Sequence, residues 1–366
     1  MLSLLMKIMT YDCIIIGGGV AGSSAAFTMA KAGLRVIVID RESRTPKQKI
    51  GESLSGQGIH LLKSSRLFNW VQESRPIENT GNISAWGSSA LVQKDFIFDL
   101  FGSGWHLDRA AFDRCLQKAA LSKGSVFLNE KVRYLERART SGWNVQLQDR
   151  EIHSRWLIDA SGRNGVVSKY LGIKRIKDSP LIAIFSWGVN RSSESRTLIE
   201  TTPNGWWYTA LLPDNRRVAA FHTSPAHAKS LIQGQRHFAD EMRTTRHVSQ
   251  HCCLDESWTS LRGADASGSI LATTAGEDWL AIGDAAMTFD PLSAHGILNA
   301  LAHGIFGAQA IIKAFSGDFD ALRNLKEDVL NKRREYVKNI MNLYNNENRW
   351  ENSFWRAMNA YTKFNG

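Results

Sequence analysis

The segment that most constrains the fold is Tyr11–Asp40, YDCIIIGGGVAGSSAAFTMAKAGLRVIVID, which holds the parts of one complete βαβ unit. An apolar run, Cys13–Ile16, leads straight into Gly17, Gly19 and Gly22 at G-x-G-x-x-G spacing. A helix of small residues follows, and a second apolar run, Val36–Ile39, ends on Asp40. Gly17 allows the tight turn, Gly19 lets the backbone approach a pyrophosphate, and Gly22 lets helix pack close to strand. The helix N-terminus, opening at Val20 and Ala21, stabilises phosphate charge. Asp40 sits where a carboxylate accepts hydrogen bonds from a ribose. Glycines alone are a weak signal; strand, glycines, helix, strand and acid in register predict a dinucleotide site.

A chain of 366 residues is long enough for more than one substructure with its own core. Its longest apolar runs fall short of the ~20 residues that span a bilayer. The opening MLSLLMKIM is too short an apolar stretch for a signal peptide, so a cytoplasmic protein with no membrane partner is expected. Cysteine usage agrees. Cys13 lies in a strand and Cys115 in a helix, Cys252 and Cys253 are adjacent, and no C-x-x-C or Cys/His ligand spacing occurs. Neither a disulfide framework nor a metal site is expected. The net charge of +10 raises the question of nucleic acid. The basic residues are spread along the chain without a dense tract, which predicts a solvated basic surface and no nucleic-acid partner.

Along the chain, Leu107–Gly124 reads as an amphipathic helix with a glycine stop. Trp156–Gly165, WLIDASGRNG, repeats the strand-to-glycine-turn pattern, and Trp279–Ala286, WLAIGDAA, does so again. Between them, residues 181–223 alternate apolar with polar in the manner of antiparallel strands. The expected architecture is α/β (α+β). A Rossmann-like cofactor-binding domain is discontinuous over 1–76, 104–180 and 266–320. An antiparallel-sheet substrate domain is inserted at 77–103 and 181–265, and 321–366 forms a C-terminal helical tail.

Three further elements decide which dinucleotide is bound. They are Asp159–Arg163 (DASGR), Gly283–Ala286 (GDAA) and Asp290–Ile297 (DPLSAHGI), the last opening a helix. A simple nicotinamide dehydrogenase needs none of them. A flavin dinucleotide extends well past its pyrophosphate and does need them. Asp284 is placed to accept hydrogen bonds from ribityl hydroxyls. Pro291–Ile297 can bring the N–H groups of a helix start against the flavin's pyrimidine edge, where negative charge develops on reduction.

In this order the motifs resemble the FAD-dependent aromatic hydroxylase superfamily, the p-hydroxybenzoate hydroxylase fold, over most of the chain. The resemblance implies that Gly17, Gly19, Gly22, Asp40, Arg41, Asp284 and Gly296 contact FAD. Val20, Ala21, Val132, Asp159, Gly162, Pro291 and Ile297 complete the expected cofactor set. Lys49-Ile-Gly-Glu52-Ser53 is similar to the K-x-G-E segment of flavin-dependent halogenases and geranylgeranyl reductases, which adds Lys49 and Ser53. Trp105–Arg109 with Phe112-Asp113 resembles the same group and makes Arg109 a candidate phosphate or flavin contact. Halogenases carry W-x-W-x-I-P; here Gly205–Pro213 reads GWWYTALLP, with the second Trp displaced and Ile-Pro missing. GWWYTALLP and the Tyr344–Trp355 tail look more like the flavoproteins that mature cysteine tryptophylquinone enzymes such as glycine oxidase and lysine ε-oxidase. There a tryptophan of a partner protein is hydroxylated.

That resemblance implies FAD reduced by NADH, NADPH or an external reductase, O2 as co-substrate, and attack of a flavin hydroperoxide on an electron-rich ring. The expected partner is a precursor quinone-cofactor oxidase. An indole needs little deprotonation, so no strong general base is demanded. Glu52 and His295 are the candidates nearest the flavin. Adjacent Trp206 and Trp207 face opposite sides of a strand, and Trp207 is the candidate for the substrate cavity. Competing readings are a small-molecule aromatic monooxygenase or halogenase, and a reductase of the geranylgeranyl type.

Overall fold

The computed structural model describes residues 9–41, 49–232, 235–252, 255 and 258–364. Residues 1–8 of the segment read for a leader, and Cys253, lie outside them.

The first apolar run needs burial on both faces, and parallel pairing on both sides gives it that. Met9–Ile16 lies between Val36–Ile39 and Glu151–Asp159, parallel to each. Val126–Leu128 extends the sheet beyond Val36–Ile39. Trp279–Ala281 pairs parallel with Glu151–Asp159, whose other end carries the antiparallel Trp143–Gln146 and, next to it, Tyr134–Arg137. One face is covered by the helices Val20–Lys31, Arg109–Leu121 and Gly296–Phe315, which share one core with it. Val20–Lys31 and Gly296–Phe315 approach so closely that a Cβ on Gly304 would meet the Ala21 carbonyl oxygen at 2.4 Å. Gly296–Phe315 is apolar and long enough to cross a membrane, but about 67% of its apolar window is buried within the protein. Core packing against the sheet explains its hydrophobicity.

The second large sheet runs in the order Arg262–Asp265, Ile182–Val189, Arg216–Thr223, Gly205–Leu212, Thr197–Thr202, Gly81–Ala85, Val92–Asp95. It is antiparallel except where Thr197–Thr202 runs parallel to Gly81–Ala85, a departure from the all-antiparallel expectation. Ile77–Asn79 does not join it. That strand pairs with Gly104–His106, which also pairs with Ser53–Leu54, in a small sheet.

Alternation along Gly205–Leu212 divides its side chains between two layers. Trp207 faces a cluster with Phe221, Phe238, Met242 and Val248 under the helices Gln235–Arg243 and Val248–His251. Trp206 faces the opposite cluster, with Phe185, Trp187, Tyr344 and Trp355. This second layer is the tail, the helices Asp320–Asn345 and Ser353–Phe364. Trp355 is fully buried, and its indole N–H donates to the Thr202 carbonyl at 2.9 Å. Trp86 donates to the Leu343 carbonyl at 2.8 Å and meets Trp206, Tyr344 and Trp355 edge-on. Truncating a buried tryptophan costs about 3–5 kcal/mol. Trp355→Ala is therefore expected to lower the unfolding free energy by that much, read from a lower urea midpoint, and to expose Tyr344 and Trp206 in fluorescence quenching.

Candidate active site

The cofactor cradle is built where the first strand ends. Gly17 has φ +105°, and a Cβ there would meet the Ala160 carbonyl oxygen at 2.2 Å. A Cβ on Gly22 would meet the Gly17 oxygen at 1.9 Å, while Gly19 opens on free space. Asp40 accepts from the Gly18 N–H at 2.8 Å and so clamps the loop. The helix Val20–Lys31 starts at Gly19 with no side-chain cap. Uncapped N–H donors beside open space at a glycine are what a pyrophosphate requires.

A second uncapped helix start lies across the same cavity. Pro291–Ser293 forms a turn, Ala294 is left-handed at φ +54°, and the helix Gly296–Phe315 begins without a side-chain cap. Gly296 also opens on free space. Asp284 stands in the Gly283–Ala285 turn with the Arg163 guanidinium 3.9 Å away. Between the two helix starts lies a cavity of about 540 Å³, large enough to hold a substantial part of a dinucleotide and a ring beyond it.

The cavity continues to the large sheet. Glu52 is buried between the Lys49–Ser53 segment and this sheet, accepting from the Gly51 N–H at 3.0 Å and the Trp187 indole at 3.4 Å. Burial pushes its carboxyl up to about 7, against the pull of the Gly51 hydrogen bond and of Arg109. Arg109 donates to the Gly51 carbonyl at 2.8 Å and shares buried Asp113 with Lys49, whose ammonium is 2.7 Å from it. Tyr208 and Ser53 hydroxyls meet at 3.1 Å. Trp206 stacks on His222, centroids 3.7 Å apart and planes 8° apart. Its indole N–H donates to the Tyr344 hydroxyl at 3.1 Å, which donates to Asp290 Oδ2 at 2.8 Å. Burial lowers His222 and His106 to about 3, so both are neutral at pH 7.

Gly19, Val20, Ala21, Lys49, Glu52, Ser53, Arg109, Gly162, Asp284, Pro291, Gly296 and Ile297 all line this one cavity. Gly17, Gly22 and Asp40 shape the loop behind it. Five expected residues sit elsewhere. Asp159 is fully buried and spends both oxygens on its own turn, accepting from Ser161, Val167 and Ser168. Val132 packs on the core around Trp143, and Arg41 is exposed, neither lining the cavity. His295 is exposed at the helix start with its ring 6.0 Å from Phe289, outside the lining. Trp207 points away, stacked on Phe221 at 4.8 Å; Trp206 takes the cavity side. Sequence reading passed over Asp113, Arg163 and Asp290, although each lies in a quoted motif. Tyr208 and His222 carried no signal beyond strand alternation.

Fold and site together define an FAD-dependent flavoenzyme of mixed α/β architecture. A family model for the FAD binding domain matches residues 10–339, and the chain belongs to that family. It is 27% identical to LodB of Marinomonas mediterranea, an FAD-dependent oxidoreductase by name, over 96% of this chain and 98% of that one. Two solved structures share the fold. The myxobacterial chondrochloren halogenase CndH has a TM-score of 0.85 at 21% identity, covering 96% of this chain and 86% of its own. The peptidyl tryptophan dihydroxylase QhpG, essential for tryptophylquinone cofactor biogenesis, has 0.76 at 19%, covering 95% and 78%.

Loss of a hydrogen bond to a charged acceptor costs about 1.5–3 kcal/mol. Asp284→Ala should therefore weaken FAD retention roughly 10- to 100-fold, measured as bound flavin absorbance after dialysis. Gly22→Val should yield protein without flavin.

Proposed function

We propose that this chain is an FAD-dependent monooxygenase that hydroxylates a tryptophan side chain in a precursor protein during biogenesis of a tryptophylquinone cofactor. The observation that carries this reading is the far end of the cavity. There a proton acceptor poised near neutrality, Glu52, lies close to Tyr208 in a cavity that Trp206 and Phe289 also line. Flat aromatic walls suit a flat, electron-rich ring such as an indole. The likeness in fold to QhpG supports the choice of substrate, and the match to LodB along almost the whole of both chains supports an FAD-dependent oxidoreductase. The likeness to halogenases is weighed against the strand GWWYTALLP, which lacks W-x-W-x-I-P.

In this reading bound FAD supplies the oxygen-activating chemistry. Gly19, Val20 and Ala21 would hold its pyrophosphate, Asp284 its ribityl chain, and the helix start at Gly296–Ile297 its pyrimidine edge. One oxygen atom of O2 forms the new C–O bond and the other leaves as water. The two electrons come from NADH, NADPH or an external reductase. The ring proton that oxygen replaces passes to Glu52. Trp206 and Tyr208 orient the ring, and neutral His222 adds no charge to the wall.

Glu52 accepts a proton only when ionised, so turnover should fall as pH drops through about 7. Removing a positioned proton acceptor costs typically 10²–10⁴-fold. Glu52→Gln should slow hydroxylation by about that factor, abolish the limb near pH 7 and leave FAD bound. For the substrate, mass spectrometry of an unmodified precursor oxidase co-expressed with the protein should show oxygen added at tryptophan. Free tryptophan with bromide, O2 and reduced FAD should give no bromoindole. Efficient bromination, or turnover of free tryptophan with none on the precursor, would replace this reading with a small-molecule one.

A further inference from the structure

We propose that the outer edge of the strand Val92–Asp95, with the apolar turn that follows it, is where the polypeptide substrate docks as an added β-strand. This rests on the reading of a protein-borne tryptophan as substrate.

The first observation is a free edge. Val92–Asp95 is the last strand of the large sheet and pairs only with Gly81–Ala85. Among the described residues no strand covers its other side, and all four residues are exposed. Such an edge offers unpaired N–H and C=O groups, whose complement is an extended polypeptide. Proteins commonly guard an open edge with proline or a projecting charge. This strand has no proline, and its charges are engaged: Lys94 with Asp99 at 3.3 Å and Asp95 with Arg196 at 3.6 Å.

The second observation is apolar exposure beside that edge. Ile97 is 78% exposed, Phe98 87% and Leu100 91%. Three large apolar side chains within four residues form a patch that calls for a partner. The segment 91–101 contains one lysine and two aspartates, a charge balance unfavourable to an anionic lipid surface.

The third observation ties patch to chemistry. Phe96, between edge and patch, lines the active-site cavity, as do Asn82 on the neighbouring strand and Thr197 on the next. The Phe96 N–H donates to the Thr80 carbonyl at 2.8 Å, which fixes this junction. A chain added at the edge and anchored on Ile97, Phe98 and Leu100 lies at the cavity mouth, where one of its side chains can enter past Phe96.

The test uses the full-length holoprotein and an unmodified precursor of a tryptophylquinone oxidase. One variant combines Ile97→Asp, Phe98→Asp and Leu100→Asp. A second, Val92→Lys, guards the edge without touching the patch. Both should keep wild-type FAD content and melting temperature while tryptophan oxidation on the precursor falls at least tenfold. Oxidation of a short tryptophan peptide should fall far less, because it depends little on docking. Wild-type rates on the precursor in both variants would overturn the docking site and leave the function standing. A wild-type protein that modifies no precursor would overturn the function, and the docking site with it. Conversion of a wild-type dimer to monomer by the variants, or loss of co-sedimentation with phosphatidylglycerol vesicles, with precursor oxidation unchanged, would assign the patch to self-association or to a membrane and overturn the proposal.

Discussion

The site depends on one buried carboxylate, Asp290. Its Oδ1 accepts from the Leu292 N–H at 2.9 Å and so sets the turn that launches the helix Gly296–Phe315. Its Oδ2 accepts from Tyr344 on the tail, and its own N–H donates to the Tyr336 hydroxyl at 2.9 Å. Burial raises the Asp290 carboxyl to about 6, with the bonds from Leu292 and Tyr344 opposing. At neutral pH the buried charge persists because these donors compensate for lost water. Through Tyr344 the same carboxylate reaches Trp206 on the large sheet. Three separate pieces of chain, the helix start, the tail and the sheet, are thus registered on one group, and the cavity lies where they meet.

The two uncapped helix starts impose a second constraint. Each leaves N–H donors facing a common space rather than a capping side chain. A helix end without partners is costly unless something else supplies acceptors. In the proposed binding mode a dinucleotide flavin would answer both ends at once, with phosphate held at Gly19–Ala21 and the ring edge that becomes negative on reduction at Gly296–Ile297. The long interval between these motifs in the sequence, with a whole sheet inserted, is tolerated because the Trp279–Ala281 strand returns to pair beside Glu151–Asp159.

This geometry explains what was legible in the sequence. The first βαβ unit was readable because its signals are local: glycine, small helix residues and a strand-end acid all act within thirty residues. That Asp284, Pro291 and Gly296 line one cavity was readable because each belongs to a short motif that follows a strand or opens a helix. Asp159 was misplaced because a strand-end carboxylate has two uses with one sequence signature; Asp40 ties down the pyrophosphate loop, whereas Asp159 ties down its own turn. Alternation required Trp206 and Trp207 to face opposite sides, but which side holds the cavity is decided by the tail, some 140 residues onward. His295 shares a motif with the lining residues, yet the left-handed Ala294 before it redirects the chain so that the imidazole stands outside.

The titration states of the wall narrow the chemistry further. Burial keeps His222 neutral across the physiological range, as it does His106, which bonds the lining Thr197, and holds the Tyr208 hydroxyl protonated. Asp290 titrates nearer neutrality, but its oxygens are committed to Leu292 and Tyr344. Glu52 is the lining group near 7 whose bonds, one backbone N–H and a longer indole contact, leave its oxygens room to take a proton. In the proposed reaction a proton leaves a ring carbon, and Glu52, beside the neutral rings of Trp206, Tyr208 and His222, can take it. One adjustable carboxyl beside neutral rings therefore suits a ring already electron-rich without deprotonation, as the proposed indole is.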